Sequence, residues 1–508
     1  MKPQQPFDPG SLASLPAAAR ASCARMGLPT LAAMAIAIAS SLVLTFTGCA
    51  SSAGIEASAQ TLAAKNLGLV AEATPTIDTA WWRGFGDATL NDLVERALAG
   101  NPNLKVAQAR LARAQATVSG ANAADGPQVN AELDVTRQRF SATSIYPPPL
   151  GGSSRTLGTA QIGGSWEIDF FGRNRAAIEA AVGTQRAAQA DVQAARIVLA
   201  SNVARSYVQL GRLFEQRELA QRSLKQRDDT LALISQRVRG GLDTAVEQRQ
   251  GEGALPETRQ QIEQLDEQIT LTRHALAALT VQPPDALDGP VAPLRTVQAV
   301  ALPAALPADL LGRRADIAAA RWRVEAAMSD VKSAKAQFYP NVNLTAFVGL
   351  ASIGLDQLVK SGSEQYGAGP AIRLPIFDSG RLRANLSGKT ADLDAAIESY
   401  NSAVLDAVHD AADQIGSLRS IARQQDEQTR AQAAAESAYD LATQRYKAGL
   451  ATYLTVLNAE TTVLAQRRLG TDLKARALDV QIGLVRALGG GYTEELPIVK
   501  NLDPKAAS

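Results

Sequence analysis

Two stretches of the chain carry an unbroken helical alternation of apolar and polar positions, from Asn174 to Arg239 and from Leu382 to Lys447. Each spans 66 residues, about 100 Å at about 1.5 Å per residue. That is longer than a globular helix, wider than a bilayer, and too polar to sit in one. Gly241 and Gly449 close these stretches as turn residues, and return helices follow over Thr244 to Leu279 and Thr452 to Leu488. Gly251, Gly253 and Pro256 predict a bend in the first return helix. Ahead of each long stretch lie a shorter helix, about Asp87 to Ala121 and about Ala308 to Gln337, and a segment of period two.

In the period-two segments, Val129, Ala131, Leu133 and Val135 alternate with Asn130, Glu132, Asp134 and Thr136. Ile162, Trp166, Ile168 and Phe170 alternate in the same way, as do Val342, Leu344, Ala346 and Val348, and then Ala368, Ile372 and Leu374. Loops rich in Pro, Gly and Ser separate the strands, over Ser141 to Arg155 and Gly349 to Gln365. Strands of about 10 residues with one apolar face suit a transmembrane β-barrel, and also suit soluble surface hairpins.

The two halves are copies. Leu104 to Arg110 matches Ile317 to Arg323 at an offset of 213, which also aligns Gly126-Pro127-Gln128-Val129-Asn130 with Tyr339-Pro340-Asn341-Val342-Asn343. Phe171-Gly172-Arg173 aligns with Ser379-Gly380-Arg381 at 208, and Arg237 to Leu242 with Arg445 to Leu450 at 208. The first copy therefore carries five extra residues between its Pro and its Gly. The organisation expected is a leader over 1–48, an extended anchored segment over 49–80, repeats over 81–290 and 291–488, and a tail over 489–508.

The leader has Arg20 and Arg25 ahead of an apolar run, Leu31 to Phe46, and ends at Phe46-Thr47-Gly48-Cys49. This resembles a bacterial lipoprotein cleavage box, with Phe46 where Leu is usual, and makes Cys49 the expected lipid-bearing N-terminus. A free Cys after an ordinary signal peptide is the alternative, and Met26 is an alternative start. Ala50, rather than Asp, after the cysteine fits delivery to an outer membrane.

If the strands cross a bilayer, four per chain cannot close, because open edges leave backbone groups unpaired in lipid. Closure needs several chains, eight strands for a dimer or twelve for a trimer. Eight leave an interior filled by side chains, whereas twelve open a lumen. A trimer also sets six helical hairpins around one axis.

Composition narrows the function. Lys and Arg number 51 against 50 Asp and Glu, a net charge of +1, so nucleic acid is not indicated as a partner. Aromatics are 5% against 46% hydrophobic residues, which suits closely packed alanine-rich helices. The two cysteines, Cys23 and Cys49, and the two histidines, His274 and His409, offer no metal site or catalytic cluster, so an enzyme and a bound cofactor are not expected. A periplasmic adaptor also has a lipid anchor and a helical hairpin, but one hairpin in soluble β-domains rather than two matched units.

The motifs together identify a family. Trp81-Trp82 with Phe85 and Asp87, Leu306-Pro307 with Leu310, Leu311, Arg313, Arg314 and Asp316, and Phe338-Tyr339-Pro340 carry the likeness. Leu374-Pro375-Ile376-Phe377-Asp378-Ser379-Gly380-Arg381, Arg445-Tyr446 with Gly449, and Leu488-Gly489-Gly490-Gly491 complete it; Ala315 stands where the family has Pro. The chain resembles the TolC-like outer-membrane factors of tripartite efflux systems, in their NodT-type lipoprotein branch. The resemblance implies an α+β homotrimer: a twelve-stranded outer-membrane barrel continuing into a periplasmic helical barrel. It implies partners too, a periplasmic adaptor and an inner-membrane pump of the resistance-nodulation-division type, which supplies the energy. By resemblance, the adaptor meets the tips, Gly240, Gly241 and Leu242 with Ala448, Gly449 and Leu450. Leu454 and Asn458, with their duplicates Val246 and Gln250, fall where related ducts narrow. Asn458 replaces a usual carboxylate, so weaker cation affinity is expected, and Asp243 and Glu247 stand near enough to supply the missing charge.

Overall fold

The computed structural model describes residues 51–62, 77–143, 145–289, 294, 297 and 310–493; Cys49, the leader and Leu306-Pro307 lie outside them. After a 3₁₀ turn at Trp81–Phe85 come helices α1 (Ala88–Gly100) and α2 (Pro102–Asp125), strands β1 (Gln128–Arg139) and β2 (Ser154–Ile168), then α3 (Arg173–Arg239) and α4 (Ala245–Leu279). The second half has a helical turn at Leu310–Arg313, α5 (Ala315–Ala336), β3 (Asn341–Ile353), β4 (Glu364–Arg373), α6 (Arg381–Lys447) and α7 (Tyr453–Ala487).

The long helices start one residue earlier than the pattern predicts and end where it predicts. They have 67 residues each and the return helices 35 each, so an offset of 208 maps one half on the other without a gap. Thr244 opens α4 with a full capping box, its side chain accepting from the helix while Glu247 reaches back. Pro256 stays inside α4, which remains one helix.

Two sequence expectations need correction. The helix read over Asp87 to Ala121 is two helices, because Asn101 adopts an extended conformation (ψ 126°), its side chain caps α2, and Pro102 takes the first helical position. The second short helix likewise breaks at Arg314, extended at ψ 125°. Its guanidinium binds Asp316 at 2.6 and 3.0 Å and the Ala487 carbonyl at 3.2 Å, tying the start of α5 to the end of α7.

The loops are also shorter than expected, with β2 beginning at Ser154 and β3 running to Ile353. The first hairpin spans 41 residues (128–168) against 33 (341–373), while its link to the following helix is four residues rather than seven. The five-residue difference is thus a longer hairpin offset by a shorter exit.

The strands form one antiparallel sheet in the order β1-β2-β3-β4. Register puts Leu133, Ala160 and Leu350 across one face, and Glu132, Gln161, Gly349 and Gln365 across the other. The polar row is knitted by Gln161 donating to Glu132 at 2.9 Å and Gln365 donating to Gln161 at 3.3 Å. The apolar face is bare: Val129 is 70% exposed, Leu133 74% and Ile372 70%. No described helix is long and apolar enough to cross a membrane.

The helices also stand in a row. Beside the sheet, α2 packs on α3, α3 on α5, and α5 on α6; toward the far end, α4 packs on α3, α3 on α7, and α7 on α6. The main core lies where α1 and the Trp81–Phe85 turn cover the middle of α3, with Phe85, Leu90, Val94 and Leu213 fully buried. There Asp87 caps α1 and accepts the Tyr207 hydroxyl at 2.7 Å. Gly489, Gly490 and Gly491 cross this region with positive φ; a Cβ on Gly489 would lie 1.9 Å from the Arg313 carbonyl oxygen.

Candidate functional site: the paired helical tips

Both hairpins turn through the same backbone device. Gly241 (φ 68°) and Gly449 (φ 78°) adopt the left-handed conformation that a side chain resists. The amide of Leu242 donates to the Arg237 carbonyl at 2.9 Å, and that of Leu450 to the Arg445 carbonyl at 2.8 Å. The turn thereby satisfies helix-end carbonyls and turns the next side chain outward. Leu242 is 68% and Leu450 70% exposed. Each tip thus presents one bare leucine beside glycine or alanine backbone.

The two tips are joined by a part-buried charge cluster. Arg237, at the end of α3, grips Asp243 through Nε–Oδ2 at 2.9 Å and Nη2–Oδ1 at 3.3 Å, and donates to the Tyr446 carbonyl at 3.2 Å. The Tyr446 hydroxyl, from the end of α6, donates to Asp243 Oδ2 at 2.5 Å, and the guanidinium lies 4.6 Å from the Tyr446 ring centre. Burial pushes the Asp243 carboxyl up, but the bonds from Arg237 and Tyr446 outweigh it and hold the group below its ordinary value. Burial, and then Asp243, raises the Tyr446 phenol.

Asp243 is therefore consumed inside the tip. Glu247 accepts from the Thr244 amide at 2.9 Å in the capping box. Both hydrogen bonds to Thr244 hold the Glu247 carboxyl low, the side-chain one first. Of the two acids expected to supply the missing charge, Asp243 is paired with the Arg237 guanidinium, whereas Glu247 keeps its negative charge while it caps α4.

On α7, Tyr453, Val456, Glu460 and Val463 face the protein interior, leaving Leu454 (55% exposed) and Asn458 one turn apart on the open face. On α4, Val246 (61%) and Gln250 are open in the same way. The two pairs stand on helices either side of α3. Gln250 and Leu457 line a cleft of 530 Å³ among α3, α4 and α7.

At the floor of the cleft Arg227 of α3 reaches both neighbours, pairing with Glu460 at 3.2 Å and donating to Thr258 Oγ1 at 2.9 Å. His274 and His409 are exposed helix residues, and no group of acids, histidines or cysteines among the described residues could hold a metal. The Arg237–Asp243–Tyr446 and Arg227–Glu460 links were not legible in the sequence. The one trace was Arg237 standing four residues before the tip glycine, as Arg445 does in the second copy.

A bare sheet, a row of helices and two matched tips describe a segment of a wall rather than a reaction centre. The family model described as "Outer membrane efflux protein" matches residues 93–281 and 306–490. The chain belongs to this family. Among its relatives, "Multidrug resistance outer membrane protein MdtQ" of Escherichia coli O6:H1 is 34% identical over 423 residues, 82% of this chain and 88% of that protein. "Pyoverdine export outer membrane protein OpmQ" of Pseudomonas aeruginosa is 32% identical over 82% and 88%. Among solved structures, the outer membrane protein VceC of Vibrio cholerae is 36% identical and superposes with a TM-score of 0.76 over 81% of this chain and 98% of that one. The open state of the Neisseria gonorrhoeae MtrE channel is 27% identical, with a TM-score of 0.73 over 86% and 96%.

This efflux protein therefore has the TolC-like α+β channel fold, and it is a duct of tripartite efflux systems rather than an enzyme. It resides in the outer membrane and extends into the periplasm. The strands are the membrane part, and the tips are the far periplasmic end.

Proposed function

We propose that three copies close into a passive duct, and the observation that carries this reading is the matched pair of open ends. The sheet ends at β1 and β4, each with one unpaired backbone edge. The helical row ends at α2 and α4 on the side of β1, and at α6 on the side of β4. Joining β4 and α6 of one copy to β1, α2 and α4 of the next satisfies both layers in one operation. An edge in lipid leaves backbone groups unpaired, which costs several kcal/mol per group. Two copies give eight strands, which their own side chains fill; three give twelve and a lumen.

The tips then form the periplasmic mouth. Gly240, Gly241 and Leu242 with Ala448, Gly449 and Leu450 offer the adaptor six exposed leucine-bearing turns per duct, and the adaptor joins the mouth to an inner-membrane pump of the resistance-nodulation-division type. Leu454 and Asn458 line the narrowest ring, with Val246 and Gln250 beside it. Asp243 is neutralised by Arg237, and Leu454 holds the closed state.

Cys49 is the lipid attachment point in this reading. The segment 51–62 lies along α6: Ser58 and Ala59 donate their amides to Asp394, both at 2.9 Å, and Arg383 donates to the Ser51 carbonyl. Ser51 is thus held two residues into α6, next to the strand ends, and Cys49 precedes it by two residues. A chain covers at most about 3.5 Å per residue, so an acyl group there enters the leaflet in which the strands end.

The experiment is electrophoresis of detergent-extracted protein with and without heating, alongside intact mass. Closure predicts a heat-labile trimer, and lipidation a mature chain from Cys49 carrying acyl mass. A monomer before heating overturns the duct, and an unmodified Cys49 overturns the anchor alone.

A further inference from the structure

The duplication allows the missing copy-to-copy seam to be read from one already present. Toward the tips, the seam between the halves within the chain joins α3 to α7. Between copies, closure joins α6 to α4 of the next chain, and these are the same two helices by the offset of 208. The seam within the chain is thus a template for the seam between chains, residue by residue, since neither helix pair contains a gap.

The template is laced with charge. Arg205 pairs with Asp479 at 3.2 Å, Arg212 with Asp472 at 2.9 Å, Gln216 donates to Asp472 at 2.6 Å, and Arg227 pairs with Glu460 at 3.2 Å. Arg205 and Arg212 are seven residues apart, as are Asp472 and Asp479, so one antiparallel register serves both. At the matching places between copies stand Asp413 opposite Leu271, Ser420 and Gln424 opposite Gln264, and Ala435 opposite Glu252. No opposite charges meet at these four places. Leucines are left bare instead: Leu271 is 58% exposed, and Leu441 is 57% exposed, although its counterpart Leu233 packs against the apolar cluster that α3 shares with α6 and α7.

We infer that α6 of one copy packs on α4 of the next in the α3–α7 register, with Ser420 facing Gln264, and that this seam lacks the ion-pair lacing that binds the two halves of each chain. The inference rests on closure by identical copies and adds the register and chemistry of the contact. Salt screens exposed charge pairs and leaves neutral contacts in place, so the two seams respond differently to ionic strength. Each chain's two hairpins form the tied unit, and the wall has its untied joints between chains.

The test is thiol cross-linking of the full-length protein in membranes with a short bis-maleimide. The pair Ser420→Cys with Gln264→Cys cannot be bridged within a chain, because α6 and α4 stand at opposite ends of the row. It is expected to move most of the protein into covalent dimer and trimer bands, with no loss in molar salt. The pair Ser420→Cys with Leu271→Cys, two helical turns out of register, is expected to give none, and the chain without added cysteines serves as the background. Failure of the first pair, or success of the second alone, overturns the register. Loss of cross-linking in molar salt overturns the absence of ion pairs from the seam. Native mass of the same preparation separates these failures from failure of closure, which alone gives monomers.

Discussion

Removing Asp243 isolates what the tip cluster contributes. In Asp243→Ala the Arg237 guanidinium, whose side chain is 12% exposed, loses its carboxylate, and the Tyr446 hydroxyl, in a residue 1% exposed, loses its acceptor. Breaking a buried pair from one side costs about 3–5 kcal/mol. Discounted for the solvent still reaching both groups, the expected cost is about 3 kcal/mol. The two tips should then open together about 100-fold more often. The assay is amide hydrogen exchange of the native protein, read at residues 237–247 and 443–455. Removing both charges in Arg237→Ala with Asp243→Ala leaves no orphaned ion, so the double variant should lose less than the sum of the single ones.

The pH dependence follows from Asp243. Its folded value is lowered, so its stabilisation is complete above the ordinary carboxylate value and is lost as pH falls through the folded value. Corrected for intrinsic rate, exchange at the tips should therefore be flat between about pH 7 and about pH 5 and should rise only in stronger acid. Unchanged exchange in Asp243→Ala, or strict additivity in the double variant, would refute the cluster as the tie between the tips.

Three further outcomes are expected. Asp394→Ala removes the acceptor for Ser58 and Ala59, so limited proteolysis should cut within residues 51–62 several-fold faster while the helices stay intact; equal cutting rates would contradict the strap. Gly489→Ala combines a positive φ of 97° with a Cβ 1.9 Å from the Arg313 carbonyl oxygen, and should cost at least about 3 kcal/mol, seen as lost folded protein at ordinary growth temperature. Asn458→Asp restores a carboxylate at the proposed narrow ring and should strengthen block by divalent cations in planar bilayers; unchanged conductance and block would remove the electrostatic role of this position.

Local regularity was what the chain displayed most openly. The 67-residue helices contain no proline, and their glycines face no competing turn signal, so the pattern located them to within a residue. The glycines that end them are punctuation of the same kind. The breaks at Asn101 and Arg314 were hidden because apolar periodicity runs across both. At Asn101 the cause is local, an Asn cap before Pro102, while at Arg314 it is a bond to Ala487 far along the chain.

The candidate site divides in the same way. The turn glycines of the tips follow from the pattern, whereas Leu454 and Asn458 on α7 are picked out by resemblance to related ducts. The ties between them follow from neither: Tyr446 meets Asp243 across 203 positions, and Arg227 meets Glu460 across 233. A charged residue in a turn reads as solvated until its partner is known, which is why Asp243 looked free to supply charge to the pore. The order α4–α3–α7–α6 was equally silent, since each helix shows its apolar stripe without naming the neighbour that covers it.

Closure by three copies is the claim on which the duct, its mouth and its seam all depend. Native mass spectrometry of the detergent-extracted protein measures it directly. Closure by three copies predicts one species at three times the mass of the mature chain, converting to single chains on heating. A species of one or two chains under native conditions would contradict it, because neither leaves a lumen.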